Sequence, residues 1–105
     1  MFFAEARSNR FTGTLTADGS TTPYRWGGGP GTFDVEGAFG SGTIKLEFSQ
    51  TIGGSFHDLD GSGADLTFTA NAGGNFTIRE GVYLRATLSG ATAPNLNIVI
   101  AENKS

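Results

Sequence analysis

The sequence predicts an all-β domain: a single antiparallel β-sandwich of jelly-roll or immunoglobulin-like type, with about eight short strands and no helices. Three observations carry that expectation. Apolar and polar residues alternate with a period of two, as in Ile44, Leu46 and Phe48 against Thr43, Lys45, Glu47 and Ser49. That is the pattern of a strand with one buried and one wet face. Glycine-rich turns separate these runs at near-regular spacing, and the chain of 105 residues holds 17 glycines. No stretch carries the apolar repeat of an amphipathic helix, and no segment recurs at the fixed period of a propeller or solenoid.

The length fits one domain. Residues 1–10 read as an N-terminal arm, 11–102 as the sandwich and 103–105 as a tail. The first strand is Phe11 to Ala17, with Phe11, Leu15 and Ala17 on one side and Thr12, Thr14 and Thr16 on the other; threonine suits an exposed strand face. Asp18-Gly19-Ser20 is a turn. Pro23-Tyr24-Arg25-Trp26 is a short strand whose proline fits a strand start or an edge. Gly27 to Gly31 is a loop. Gly31 to Ser49 then reads as a hairpin, because Phe33, Val35 and Phe39 alternate with Asp34, Glu36 and Ala38 before Gly40-Ser41-Gly42 turns the chain. Short strands follow at Phe56–Leu59, Asp65–Ala70 and Asn75–Ile78, then longer ones at Val82–Ser89 and Asn95–Glu102. The expected core is Leu15, Trp26, Phe33, Val35, Phe39, Ile44, Leu46, Phe48, Leu66, Phe68, Phe76, Ile78, Leu84, Leu88, Leu96, Ile98 and Ile100. Full burial of each is worth roughly 1.5–3 kcal/mol before entropy is subtracted.

Composition narrows the function. There is no cysteine, so disulfides, thiolate metal sites and cysteine nucleophiles are excluded. The formal net charge is −3, and from Asp34 to Asp65 six acids face one base, Lys45. Such a surface does not attract phosphate backbones, so no nucleic-acid partner is expected. No apolar run approaches the roughly 20 residues of a membrane helix, so no membrane partner is expected. The first residues lack the basic start and long apolar run of a signal peptide, so use without export by that route is expected.

The motifs that touch chemistry are incomplete. Asp58, Asp60, Ser62 and Gly63 occupy positions 1, 3, 5 and 6 of a calcium loop, but Thr69 stands where the bidentate Glu belongs. Turn capping by the aspartates is the simpler reading. Gly27-Gly28-Gly29-Pro30-Gly31 lacks the Lys and Ser/Thr of a phosphate loop. His57 with Asp58 or Asp60 is the only hydrolase candidate, without a Gly-x-Ser-x-Gly elbow to support it. Tyr24, Trp26 and Tyr83 are a candidate aromatic platform for a glycan, weighed against a core role for Trp26 and an edge role for the tyrosines. No cofactor, no metal and no enzymatic activity are expected.

The hairpin residues Gly31, Thr32, Phe33, Val35, Gly37, Phe39, Gly40 and Leu46 fit a pattern G-T-F-x-V-x-G-x-F-G-x-x-x-v-x-L. Leu66, Thr69, Asn71, Gly74, Phe76, Gly81, Leu84, Arg85, Leu88, Ser89 and Gly90 fit a closing pattern in the second half. With these, roughly residues 12–101 resemble small all-β virion structural proteins of tailed bacteriophages. Members of that group often carry a Gly-Thr-Thr-Trp-like turn where this chain has Ile52-Gly53-Gly54-Ser55-Phe56, so Phe56 stands in for the tryptophan. The shared motifs are structural and not chemical. The resemblance implies a protein made in the host cytoplasm and located on the virion surface. It would decorate or cement the capsid by binding the major capsid protein or other virion proteins. A tail or head-fibre component, or a carbohydrate-binding module, is the alternative.

The arm carries the partner-binding candidates Phe2, Phe3, Arg7 and Arg10. Covering both phenylalanines contributes roughly 3–6 kcal/mol. Ordering about ten residues costs on the order of 10 kcal/mol of backbone entropy. Strand pairing or contact with several subunits must supply the rest. A homo-oligomer is therefore expected, a trimer by analogy with capsid decoration proteins.

Overall fold

A computed structural model of the chain describes residues 10–61 and 64–102, without the side chains of 60, 61, 64 and 65. Twelve strand segments occur among these residues, and no helix. They are β1 (Arg10–Leu15), β2 (Gly19–Ser20), β3 (Tyr24–Arg25), β4 (Gly29–Ala38), β5 (Thr43–Ser49) and β6 (His57–Asp58). Then come β7 (Asp60–Gly61), β8 (Ala64–Asp65), β9 (Thr67–Phe68), β10 (Ala72–Ile78), β11 (Tyr83–Ser89) and β12 (Asn95–Glu102).

The first sheet runs β1-β12-β4-β10. The second runs β2-β11-β5-β6, with β3 also on β11 and β9 also on β5. Two of its courses are split. At Thr21, between β2 and β3, the amide bonds the Ala86 carbonyl at 2.9 Å and the hydroxyl accepts from the Ala86 amide at 3.0 Å. The side chain thus replaces a backbone acceptor where the strand bulges. On the other flank, Leu46 accepts from the Leu59 amide at 2.9 Å and donates to the Leu66 carbonyl at 3.1 Å. The chain between leaves as the β7–β8 ribbon.

With each split course counted as one strand and the ribbon set aside, eight strands remain, in orders 1-8-3-6 and 2-7-4-5. All pairings are antiparallel. This is a jelly roll, one of the two expected sandwich types, and not the immunoglobulin arrangement. Its logic is a long ribbon of nested pairs, first with last and second with second-last, rolled until the eighth strand also meets the third and the seventh the fourth.

The expected Gly31–Ser49 hairpin is corrected here. β4 and β5 do not pair; β4 lies between β12 and β10, and β5 lies on β11. The turn carries the chain from one sheet to the other. Gly40 and Ser41 both take positive φ, and the Phe39 carbonyl accepts from the Gly42 amide at 2.9 Å. The Gly40 carbonyl accepts from the Thr92 amide at 2.9 Å, so this arch stacks on the arch between β11 and β12. A side chain at Gly40 would collide with the Thr92 backbone.

The core lies between the sheets. Every residue of the expected core is buried or packed against it, and Leu59, Val82 and Ala86 join them. Rings close both flanks: Phe11 meets Tyr24 at 5.5 Å, and Phe33 stacks on Phe68 at 5.4 Å. Trp26 is 1% exposed and packs on Phe76 at 5.0 Å. It fits because Gly31 has no side chain; a Cβ there would lie 2.5 Å from the indole.

Candidate functional site

The aromatic candidates do not share a surface. Trp26 is enclosed between the sheets, and its indole N–H donates to the Gly29 carbonyl at 3.3 Å. Tyr24 pairs with Leu84 and turns inward, while Tyr83 pairs with Arg25 and Ser49 on the outer side of the same sheet. Burial, and then the charge of Glu102, raise the Tyr24 phenol above its ordinary pKa. The tyrosines therefore lie on opposite faces, with the indole closed to a sugar ring. An open groove of about 250 Å³ at this end is lined by Arg25, Trp26, Gly27, Glu80 and Gly81.

Of the arm candidates, Arg10 is exposed at the start of β1. Phe2, Phe3 and Arg7 lie outside the described residues, as do Ser62 and Gly63 of the calcium-type loop and the side chain of Asp60. Asp58 is engaged by Lys45, 3.0 Å away. His57 sits opposite Phe48 with ring centroids 5.9 Å apart. Among the described residues no group of three or more His, Asp or Glu is placed to hold a metal ion.

The sequence reading missed a polar cluster on the outer face of the second sheet. Glu47 is only 7% exposed. One of its oxygens accepts from Arg85 Nε at 2.8 Å and from the Thr87 hydroxyl at 2.7 Å. Its other oxygen is 3.8 Å from Lys45 Nζ. The Arg85 guanidinium lies 4.0 Å over the Phe56 ring. Thr87 and Ser20 hydroxyls bond at 2.8 Å. The Lys45 ammonium is held above its usual pKa, first by its hydrogen bond to Asp58 and then by that carboxylate's charge. The cluster satisfies itself, which makes it a clasp across β6, β5, β11 and β2.

The outer face of the first sheet differs. Thr12, Thr14, Asn97, Val99, Thr32, Asp34, Asn75 and Thr77 lie in rows across β1, β12, β4 and β10. Contacts here are hydroxyl to amide, Thr14 to Asn97 at 3.4 Å and Thr32 to Asn75 at 3.2 Å. Beside β1, a groove of about 300 Å³ runs between this sheet and residues 20–22 of the other.

No protein-family model matches the chain, and no curated protein sequence does. Among solved structures, it is similar to the SPBc2 prophage-derived protein YomS. That likeness covers 96% of this chain and 100% of that one, with a TM-score of 0.61 at 13% sequence identity. At that identity it is a likeness of fold.

Proposed function

We propose that this chain is a structural protein of a phage particle, a decoration or cement protein on the outer capsid surface. The observation that carries the reading is the full-length likeness in fold to a prophage-derived protein, joined to the resemblance of its Gly31–Gly90 motifs to small phage virion proteins. The jelly roll adds support, since capsid and lectin domains use it, although a fold does not define a function. The proposed role is binding, and it is supported by a polar cluster on the second sheet whose groups are engaged in clasping strands. The partners are the major capsid protein or other virion proteins, and the chain works as a homo-oligomer, with a trimer as the first expectation.

The test is proteomics of purified particles induced from the strain that encodes the chain, followed by gold labelling with an antibody. Decoration predicts many copies per particle, labels on the head, and particles without the protein that burst at lower temperature. Absence from purified particles would sink the proposal, and label at the tail would move the protein there. A glycan array serves the carbohydrate-binding alternative. Saturable binding that is lost in Tyr83→Ala would favour it.

A further inference from the structure

We infer that the outer edge of β1 is an acceptor for residues 1–9 of a second copy, which add as an extra strand. Sheet edges expose unpaired backbone groups, and proteins break or cover them. Three edges of this sandwich have such a device. The β2–β3 course is interrupted at Thr21 and followed by Pro23, which has no N–H. The β6–β9 course is interrupted by the emerging ribbon. β10 has β7 of that ribbon beside it. β1 has none. It is six continuous residues, without proline, bulge or inward charge, and no described residue pairs with its outer edge.

The same edge is incompletely covered. Phe11, Gly13 and Leu15 turn inward yet stay half-buried, whereas their partners Ile100, Ile98 and Leu96 are fully buried. They line the groove that separates β1 from Thr21. An added strand would pair with β1 and place one face of side chains over that groove.

Residues 1–9 have the character required. Phe2, Ala4 and Ala6 alternate with Phe3, Glu5 and Arg7, giving one wholly apolar face. Nine extended residues reach about 30 Å, more than the roughly 20 Å of a six-residue strand. The donor is a second copy because β1 starts at Arg10, directly after the segment. To return onto its own β1, the chain would have to reverse at Ser8-Asn9. That pair lacks the glycine of tight hairpins, and the reversal sets Arg7 against Arg10 as like charges across the pair. Exchange between copies meets neither obstacle.

The chain has no cysteine, so cysteine pairs report the contact directly. In isolated protein, light scattering should give an oligomer for the full chain. The chain lacking residues 1–9, and the Ala4→Asp variant, should be monomeric with unchanged circular dichroism. In equal mixtures, single-cysteine Glu5→Cys chains should form mixed dimers with Thr12→Cys or Thr14→Cys chains at least about tenfold more than with Asn75→Cys on β10, because docking raises the local concentration. A monomeric full chain, or an oligomer that survives the deletion, overturns the inference. So does equal cross-linking to β1 and β10, or cross-linking confined within single Glu5→Cys/Thr12→Cys chains. These readings use no phage particle, so their failure is separable from absence of the protein from virions.

Discussion

The two sheets finish themselves differently. The second is closed on its own terms: both edges are interrupted, and its outer face is tied by Glu47, Arg85, Thr87, Lys45 and Asp58. Among the described residues, the first has a continuous edge at β1 with no strand outside it, and an outer face of threonine and asparagine rows that also carries Asp34 and Glu36. One sheet ties its outer face with charged side chains and the other with hydroxyl-to-amide contacts. The contrast is one of edges and of charge: the second sheet is braced by its own side chains, while the first ends in an unbroken strand.

The largest expected effect comes from separating the sheets. Trp26→Ala removes the ring that joins the second sheet to Phe76 and Gly31, and should cost about 3–5 kcal/mol in urea or thermal unfolding. A loss below about 1 kcal/mol would mean the sheets cohere without it, since buried aromatic truncations rarely cost so little. Next, Glu47→Gln should cost about 1–3 kcal/mol, because a part-buried charge-assisted pair loses its negative partner. Thr12→Ala and Thr14→Ala should stay within about 0.5 kcal/mol. Equal costs on both faces would erase the distinction between them.

The smallest effect is in alkaline solution. Tyr24 and Lys45, both on the second sheet, have folded pKa values raised above their ordinary ones. The stability linked to them is therefore fully present below the ordinary tyrosine and lysine range, and is lost as pH rises through the raised values. Midpoint against pH should fall on that side, and less so in Tyr24→Phe. A midpoint that stays flat or rises there contradicts the sign.

The sequence was informative where a single strand suffices. Ile44, Leu46 and Phe48, and likewise Leu96, Ile98 and Ile100, declare their inward face by alternation, and they turn inward as expected. Alternation does not declare the neighbour. A strand facing its successor across a core has the same pattern as one paired with it in a hairpin, so Gly31–Ser49 was legible as two strands but not as an arch between sheets. The Glu47 cluster was hidden for the same reason. Lys45-x-Glu47 and Arg85-x-Thr87 are ordinary outward residues until the register sets Arg85 opposite Glu47. That β1 ends the order of described strands is a property of the whole sheet, and no local stretch of sequence records it.

The place of β12 has a consequence during synthesis. It lies between β1 and β4, so until residues 95–102 leave the ribosome the first sheet lacks its middle. β1 and β4 then stand two strand spacings apart, about 10 Å, with nothing to bridge them. At about 5–20 residues per second, every nascent chain spends several seconds as an unfinished sandwich. Completion is tied to β12, so a polypeptide cut short before it lacks Leu96, Ile98 and Ile100 beside Phe33, Val35 and Phe11. Such a product is a target for proteases and chaperones, so the architecture itself marks a broken copy apart from a whole one.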